Sequence, residues 1–141
     1  MLGGILGNSM DFMHQDVFTL RAEVLECRDK PSYPVGELCK DAFGRTPHFT
    51  DRGIRRRALV GVGRVDYGDP FDLRPRMQGV EVLGASSDHT ILDVEDVKDR
   101  IHIGDVLEFD LCYATMVYLT NTESVHIVYR KDGKLFTPDA D

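Results

Sequence analysis

The sequence is poor in cysteine and has no segment of the kind that directs a chain into or through a membrane. Cys27, Cys39 and Cys112 are an odd number without the spacing of a metal site, and the simplest interpretation is a reduced, cytoplasmic protein. Residues 1–10 are apolar and glycine-rich, but they lack the basic start and the cleavage site of a secretory signal. No apolar run approaches the length of a membrane span.

Positive charge is also scarce. Lysine and arginine number 17 against 24 aspartates and glutamates, so the formal net charge is −7. This acidic balance argues against nucleic acid or an anionic membrane as the main partner, because duplex binders place many basic groups on one face. The apolar share of 42% and the charged share of 29% are ordinary for a soluble domain, and 141 residues suffice for one hydrophobic core.

Several catalytic signatures are absent. The sequence has neither a glycine-rich phosphate loop between a strand and a helix nor a nucleophile elbow. His14, His48, His102 and His126 have no partners at the spacing of a metal site, so we interpret them as surface or loop residues. None of these motif-defined chemistries is therefore indicated.

Long amphipathic helices are missing, and short strands take their place. From Phe18 to Val24 apolar and polar residues alternate, as in a half-buried strand. The run 57–63 predicts a strand buried on both faces, whose glycines leave room for a backbone or a ligand to approach. These patterns predict an all-β fold, a small barrel-like domain or sandwich of about seven or eight short strands. Further strands are predicted at 34–38, 79–85, 90–94, 104–111 and 125–129, with turns at 29–32 and 131–134, whereas 116–119 fits a helical turn or a strand.

The most unusual segment is Gly84-Ala-Ser-Ser-Asp-His89, which places two hydroxyls, a carboxylate and an imidazole between two apolar strands. Such a group could bind a small polar ligand or transfer a proton. The structural interpretation is a turn in which Ser87 and Asp88 satisfy their own backbone, and spacing alone favours it. A Ser-His-Asp triad is not implied, because neighbouring residues of an extended chain point to opposite faces.

Two further polar segments adjoin the strand at 57–63. The first, Asp51-Arg-Gly-Ile-Arg-Arg-Arg57, is a basic cluster that suits carboxylates and phosphates, although a solvated strand end paired with some of the acids is the favoured explanation. The second, Gly61-Val-Gly-Arg-Val-Asp-Tyr67, brings polar groups to the end of a buried strand. Ligand sites often gather there, but a strand that simply reaches solvent looks the same.

Taken in order, several motifs resemble the C-terminal domain of alanine-racemase-type (fold-type III) PLP-dependent amino-acid racemases, and most closely the ornithine racemase branch. Several linked motifs in one order are more specific than any single motif. The resemblance runs nearly end to end and rests on Gln15-Asp-Val-Phe-Thr-Leu20, Lys30-Pro-Ser-Tyr-Pro-Val-Gly-Glu37, Asp41-Ala-Phe-Gly44, Asp51-Arg-Gly-Ile-Arg-Arg-Arg-Ala58, Leu83-Gly-Ala-Ser-Ser-Asp-His89, Ile103-Gly-Asp105 and Tyr113.

The resemblance implies a two-domain isomerase that acts on an amino acid with the help of PLP. In this family an N-terminal (β/α)8 barrel holds PLP on a lysine, and the C-terminal β-domain caps the partner's barrel in a head-to-tail dimer. PLP is the electron sink while a proton leaves one face of the substrate Cα and returns to the other. By this resemblance residues 1–16 are the end of the last barrel strand with its linker, and residues 17–141 are the β-domain.

The resemblance also implies roles for particular residues. Ser87, Asp88 and His89 match a stretch near the substrate carboxylate, so we predict Ser87 and Asp88 as substrate-binding residues. Tyr113 matches a tyrosine that contacts the cofactor phosphate, and we predict it as a cofactor-binding residue.

The second catalytic base departs from the family pattern. Arg64 stands where the family has a catalytic tyrosine, and Tyr67 follows three residues later. Tyr67, His89 or another group could supply the base, and we predict Tyr67 and His89 as catalytic residues. Arg64 is predicted to bind substrate, and as a cationic neighbour it could lower the pKa of Tyr67.

The sequence contains no candidate barrel. Its five lysines, at positions 30, 40, 98, 131 and 134, lie in turns or charged segments, so no PLP is expected on this chain alone. We predict a racemase domain that needs a barrel domain or self-association and is inactive alone, with ornithine, lysine, alanine and serine all open as substrates. The alternatives are a free-standing, non-catalytic binding module derived from this domain, or an unrelated barrel-like adaptor.

Overall fold

The computed structural model describes residues 17–33 and 50–136. Within these ranges, two short helices, α1 (Arg64–Tyr67) and α2 (Tyr113–Leu119), accompany a single 3₁₀ turn (Pro70–Asp72). The remaining regular structure consists of eight strands: β1 (Thr19–Pro31), β2 (Ile54–Val60), β3 (Arg74–Pro75), β4 (Glu81–Ala85), β5 (Thr90–Asp93), β6 (Val106–Asp110), β7 (Tyr129–Lys131) and β8 (Lys134–Phe136).

Six strands form one antiparallel sheet in the order β3-β6-β1-β2-β5-β4. Its two edge strands, β3 and β4, come into contact, so the sheet curls into a nearly closed barrel. Strands β7 and β8 form a separate hairpin, whose turn residues Asp132 and Gly133 both have positive φ, 52° and 74°. An Asp-Gly pair suits this turn because both residues tolerate that conformation. The predicted all-β, barrel-like fold and the predicted hairpin turn are confirmed.

The central strand β1 holds the barrel together because it pairs on both sides. Leu20, Ala22 and Val24 are buried, as their alternation predicts. The first half of the strand pairs with β6, and the second half pairs with β2 beyond a bulge after Val24. The turn predicted at 29–32 is wrong, since pairing with β2 extends the strand to Pro31. Proline is tolerated there because it ends the strand.

The strand predicted at 57–63 is β2, which begins at Ile54 and ends at Val60. Ala58 and Val60 are buried, but Arg57 on the other face is only half-buried, so the predicted burial on both faces is wrong. The largest fully buried apolar side chains of the barrel are those of Tyr67, Phe109, Leu92, Val24 and Val60.

The segment 116–119, which fits a helical turn or a strand, belongs to helix α2. Thr115 and Leu119, four residues apart, are buried on one face of that helix. The strand predicted at 125–129 is wrong except for Tyr129, because 125–128 pairs with no strand in the described part of the chain. The strand predicted at 34–38 lies outside the described residues. Within residues 17–33 and 50–136, no helix has the length and apolar character needed to cross a bilayer.

Candidate functional site

A cavity of about 470 Å³ opens beside the ends of β2 and β4. It combines a guanidinium, two carboxylates, hydroxyl groups and apolar surface, the mixture expected of a small-molecule site. The cavity contains three of the predicted site residues, Arg64, Tyr67 and Ser87. Its lining residues are Arg64, Val65, Tyr67, Gly68, Asp69, Asp72, Ser87, Ala114 and Tyr118.

Backbone contacts bring the chain after β2 against the loop between β4 and β5. The amides of Arg64 and Val65 donate to the carbonyls of Ser86 and Ser87, at 2.9 and 3.1 Å. Gly63 permits this approach, because a Cβ there would lie 2.3 Å from both the Asp88 nitrogen and the Ser87 oxygen. The prediction that a glycine here leaves room for a backbone is confirmed.

Tyr67 lines this cavity and is fully buried. Its phenolic oxygen is 2.5 Å from Thr90 Oγ1, which donates its own hydrogen to the Val62 carbonyl at 2.7 Å. A hydroxyl has one hydrogen, so Tyr67 must donate to Thr90. Burial raises the pKa of Tyr67, although the Thr90 hydrogen bond and the charge of Arg64 oppose the rise. A neutral phenol that already donates its hydrogen is poorly suited to accept a proton.

The segment 86–89 is both a turn and a polar cluster. The Ser86 amide donates to the His89 carbonyl at 2.9 Å and closes the turn between β4 and β5. Ser86 Oγ lies 2.8 Å from Asp88 Oδ1 and 2.8 Å from His89 Nδ1, and those two partners are 3.0 Å apart. Hydrogen bonds from Ser86 and His89 lower the pKa of Asp88. Ser86 is not among the predicted site residues, although its place two positions before Asp88 is a signal for it.

The other predicted site residues lie beside the cavity. Asp88 and His89 adjoin Ser87 but are not among the lining residues, and the Asp88 side chain is 79% exposed. Tyr113 begins α2 next to the lining residue Ala114 and is itself exposed. The predicted contact of Tyr113 with a cofactor phosphate stays a prediction.

The sequence did not single out Asp69, Asp72 or Tyr118 as cavity residues. The Tyr118 ring lies over Gly68, where a Cβ would come within 3.1 Å of the ring. Asp69 accepts the Phe71 amide at 3.1 Å and starts the 3₁₀ turn that ends at Asp72. Pro70 directly after Asp69 is the local signal for such a turn.

Exposed apolar side chains either line the cavity or adjoin its lining residues along the chain. Large apolar patches on a surface commonly mark an interaction site, and we call this set the apolar rim. The apolar rim consists of Val65, Phe71, Tyr113, Val117 and Tyr118.

The basic cluster of 51–57 is engaged by acids. Arg55 donates two hydrogen bonds, of 2.8 and 2.9 Å, to the buried carboxylate of Asp93. Arg52 and Arg57 each form an ion pair with the same carboxylate at 3.6 Å. Burial raises the pKa of Asp93, but the Arg55 hydrogen bonds, the Glu95 amide and the arginine charges lower it below its usual value. The predicted pairing of these arginines with acids is confirmed, but the predicted solvated strand end is wrong, because the side chains of Arg55, Arg56 and Arg57 are mostly buried.

His102 and His126 are exposed, and the described part of the chain holds no group of three or more side chains that could bind a metal ion. His14 and His48 lie outside it. Cys27 and Cys112 are free thiols and half-buried, so they pack less completely than small core residues do.

No family model matches the chain. It is 40% identical over 111 residues to an ornithine racemase of Acetoanaerobium sticklandii, a match that covers 79% of this chain and 31% of the relative. It is 43% identical over 120 residues to a lysine racemase of Thermotoga maritima, covering 85% of this chain and 33% of the relative. The chain thus spans about a third of the length of these relatives.

Alanine racemase of Clostridium difficile 630 in complex with cycloserine has a similar fold, with a TM-score of 0.57 and 16% sequence identity. The similarity covers 84% of this chain and 35% of that one. A second structure of the same alanine racemase gives a TM-score of 0.54 at 17% identity. The resemblance drawn from the motifs is therefore confirmed: in sequence and in fold the chain is a racemase-like domain, whose extent fits a C-terminal fragment of a racemase.

Proposed function

We propose that this chain completes the active site of an amino-acid racemase by capping a barrel domain, and that it does not racemise amino acids alone. The observation that carries the proposal is the match to only about a third of each racemase relative. The apolar rim supports it, because such a surface suits burial against a partner domain. Since the relatives are an ornithine racemase and a lysine racemase, we propose a diamino acid as the substrate.

The lysines that the structure describes do not fit the role of holding PLP covalently. Lys98 lines a different cavity, and Lys30 bonds to Glu26 at 3.1 Å on an exposed part of β1. Lys131 and Lys134 lie in the β7–β8 hairpin. Lys40 lies outside the described residues. The described lysines therefore stand apart from the site, and we propose that the barrel supplies PLP together with its lysine, while Tyr113 contacts the phosphate.

Within the cavity we assign the substrate carboxylate to Arg64 and Ser87. A guanidinium can donate two parallel hydrogen bonds to a carboxylate, and the Ser87 hydroxyl can donate a third. Asp88, predicted to bind substrate, lies against His89 and bonds to its ring at 3.0 Å. Of the two candidate bases we favour His89, since its imidazole is partly exposed beside the cavity whereas Tyr67 is buried and donates to Thr90.

The test combines this chain with a barrel fragment of the ornithine racemase, cut before the matching third. Mixed with PLP, the pair should racemise ornithine, and neither part should do so alone. After borohydride treatment, mass spectrometry should find the PLP adduct on a barrel lysine. Racemisation by this chain alone, with the adduct on one of its own lysines, would overturn the proposal.

A free-standing binding module is the second candidate, because the described residues form the cavity with Arg64 and Ser87 by themselves. It predicts that the chain alone binds amino acids while every barrel mixture stays inactive. A cytoplasmic location belongs to the main proposal, and it is supported by the free thiols of Cys27 and Cys112.

A further inference from the structure

The hydrogens shared by Ser86, Asp88 and His89 can be counted. Ser86 Oγ donates to Asp88 Oδ1 at 2.8 Å, so its single hydrogen is used. An ionised carboxylate has no hydrogen to give. His89 Nδ1 lies 2.8 Å from Ser86 Oγ and 3.0 Å from Asp88 Oδ1, and both oxygens can only accept from it. The hydrogen of the neutral imidazole must therefore be on Nδ1.

We propose that Ser86 is a positioning residue that, together with Asp88, holds His89 in the Nδ1–H tautomer and leaves Nε2 as the proton acceptor. The turn fixes the backbone position from which the His89 side chain extends, because the Ser86 amide donates to the His89 carbonyl at 2.9 Å. A hydrogen bond to one ring nitrogen selects the tautomer, and so decides which nitrogen can accept. The use of Nε2 in racemisation rests on the proposed function, whereas the tautomer is a property of this chain.

Folding stability does not explain this cluster. The Asp88 side chain is 79% exposed and that of His89 is 38% exposed, and exposed pairs of this kind contribute little to stability. A turn closed only by the backbone bond between Ser86 and His89 would leave the tautomer of His89 free. The tautomer is therefore the quantity to measure, and unfolding serves as the control.

Histidine tautomers can be read from long-range proton–nitrogen NMR spectra of the ¹⁵N-labelled chain at about pH 8, where imidazoles are mostly neutral. The His89→Gln variant lacks the ring signals of His89, so a comparison of its spectrum with that of the wild type assigns them. His102 is the internal reference, since its Nδ1 lies 3.9 Å from Asp105 Oδ2, beyond hydrogen-bond distance. The variants are Ser86→Ala, Ser86→Thr, which keeps the hydroxyl, and Asp105→Asn as the matched control beside His102.

We expect His89 to be mainly in the Nδ1–H form. Ser86→Ala should lower the ratio of the Nδ1–H to the Nε2–H form about fivefold, the factor that one ordinary hydrogen bond contributes. Ser86→Thr should restore the ratio, and Asp105→Asn should leave His89 unchanged. A wild-type His89 mainly in the Nε2–H form, or a ratio unchanged in a folded Ser86→Ala variant, would overturn the proposal. Failure to racemise with a barrel would instead count against the proposed function and leave this result standing.

Discussion

The hydroxyl oxygens of Tyr67 and Thr90 lie 2.5 Å apart in the core, and the Thr90 hydroxyl donates a hydrogen bond to the Val62 carbonyl at 2.7 Å. This chain of hydrogen bonds ties α1 to β5 and to the end of β2. In this arrangement Tyr67 is a hydrogen-bond donor within the core, whereas the sequence predicts it as a base. If His89 is the base, as proposed, substitutions at Tyr67 and His89 should separate an effect on folding from an effect on racemisation.

Tyr67→Phe should lower the free energy of unfolding by about 1 kcal/mol, because one buried hydrogen bond is lost while Thr90 keeps its bond to Val62. With a complementing barrel it should keep racemase activity within a few-fold. His89→Gln should instead reduce kcat by about 100-fold or more, the usual contribution of a general base. Urea unfolding and chiral analysis of ornithine measure the two effects. A much larger loss of kcat in Tyr67→Phe than in His89→Gln would indicate that Tyr67 is the base.

The barrel could be predicted from the sequence because apolar and polar residues alternate along its strands. Leu20, Ala22 and Val24, or Leu107 and Phe109, are buried as period-two patterns require. The extension of β1 to Pro31 could not be predicted, since it depends on pairing with β2. Helix α1 has four residues, too few to show a helical period.

Motif order predicts a substrate-binding role for both Arg64 and Ser87, and the structure shows that the two residues line one cavity. The hydrogen bonds of Ser86 to Asp88 and His89 could not be predicted from the sequence. They depend on the backbone of a turn that folds the chain back within four residues and brings the Ser86 hydroxyl to the ring of His89. Spacing alone cannot distinguish that geometry from an ordinary solvated turn.

Asp93→Asn should destabilise the protein by about 3 kcal/mol, since removing a buried carboxylate leaves its arginine partners uncompensated. The loss should fall at the low end of the range for such pairs, because Arg55 keeps its hydrogen bond to Asp96. Urea unfolding near neutral pH measures it. Asp99→Asn, at an exposed carboxylate, is the control and should change little. Equal effects of the two substitutions would contradict the importance of the buried pair.

The stabilisation by Asp93 should depend on pH. Its pKa is lowered in the folded protein despite burial, chiefly by the Arg55 hydrogen bonds, so the unfolded chain binds the proton more tightly. The contribution is complete above about pH 4 and is lost as the pH falls through the folded-state pKa. The difference in unfolding free energy between wild type and Asp93→Asn should therefore shrink over the interval in which the pH falls from about 4 through the folded-state pKa. A constant difference over that interval would show that the carboxylate's charge is irrelevant.

Gly63→Ala should destabilise the protein by about 2–3 kcal/mol, because the new methyl group would overlap the backbone of Ser87 and Asp88. Shifting that loop should also alter the NMR signals of His89. Gly84→Ala is a close control in the neighbouring strand, since a Cβ there meets nothing within 4 Å, and its effect should stay within about 0.5 kcal/mol. Similar losses for both variants would indicate a general intolerance of alanine rather than a close approach at Gly63.

Val65→Asp should weaken association with the complementing barrel and reduce any self-association of the chain. Val65 belongs to the apolar rim and is 65% exposed, so a carboxylate there costs little in the free chain but is buried without a partner in a complex. Ile103→Asp is the matched control, because Ile103 is 66% exposed in the turn before β6, away from the cavity. Sedimentation of each variant with and without the barrel separates the two positions. If both substitutions weaken the complex equally, or neither does, the apolar rim is not the surface that meets the barrel.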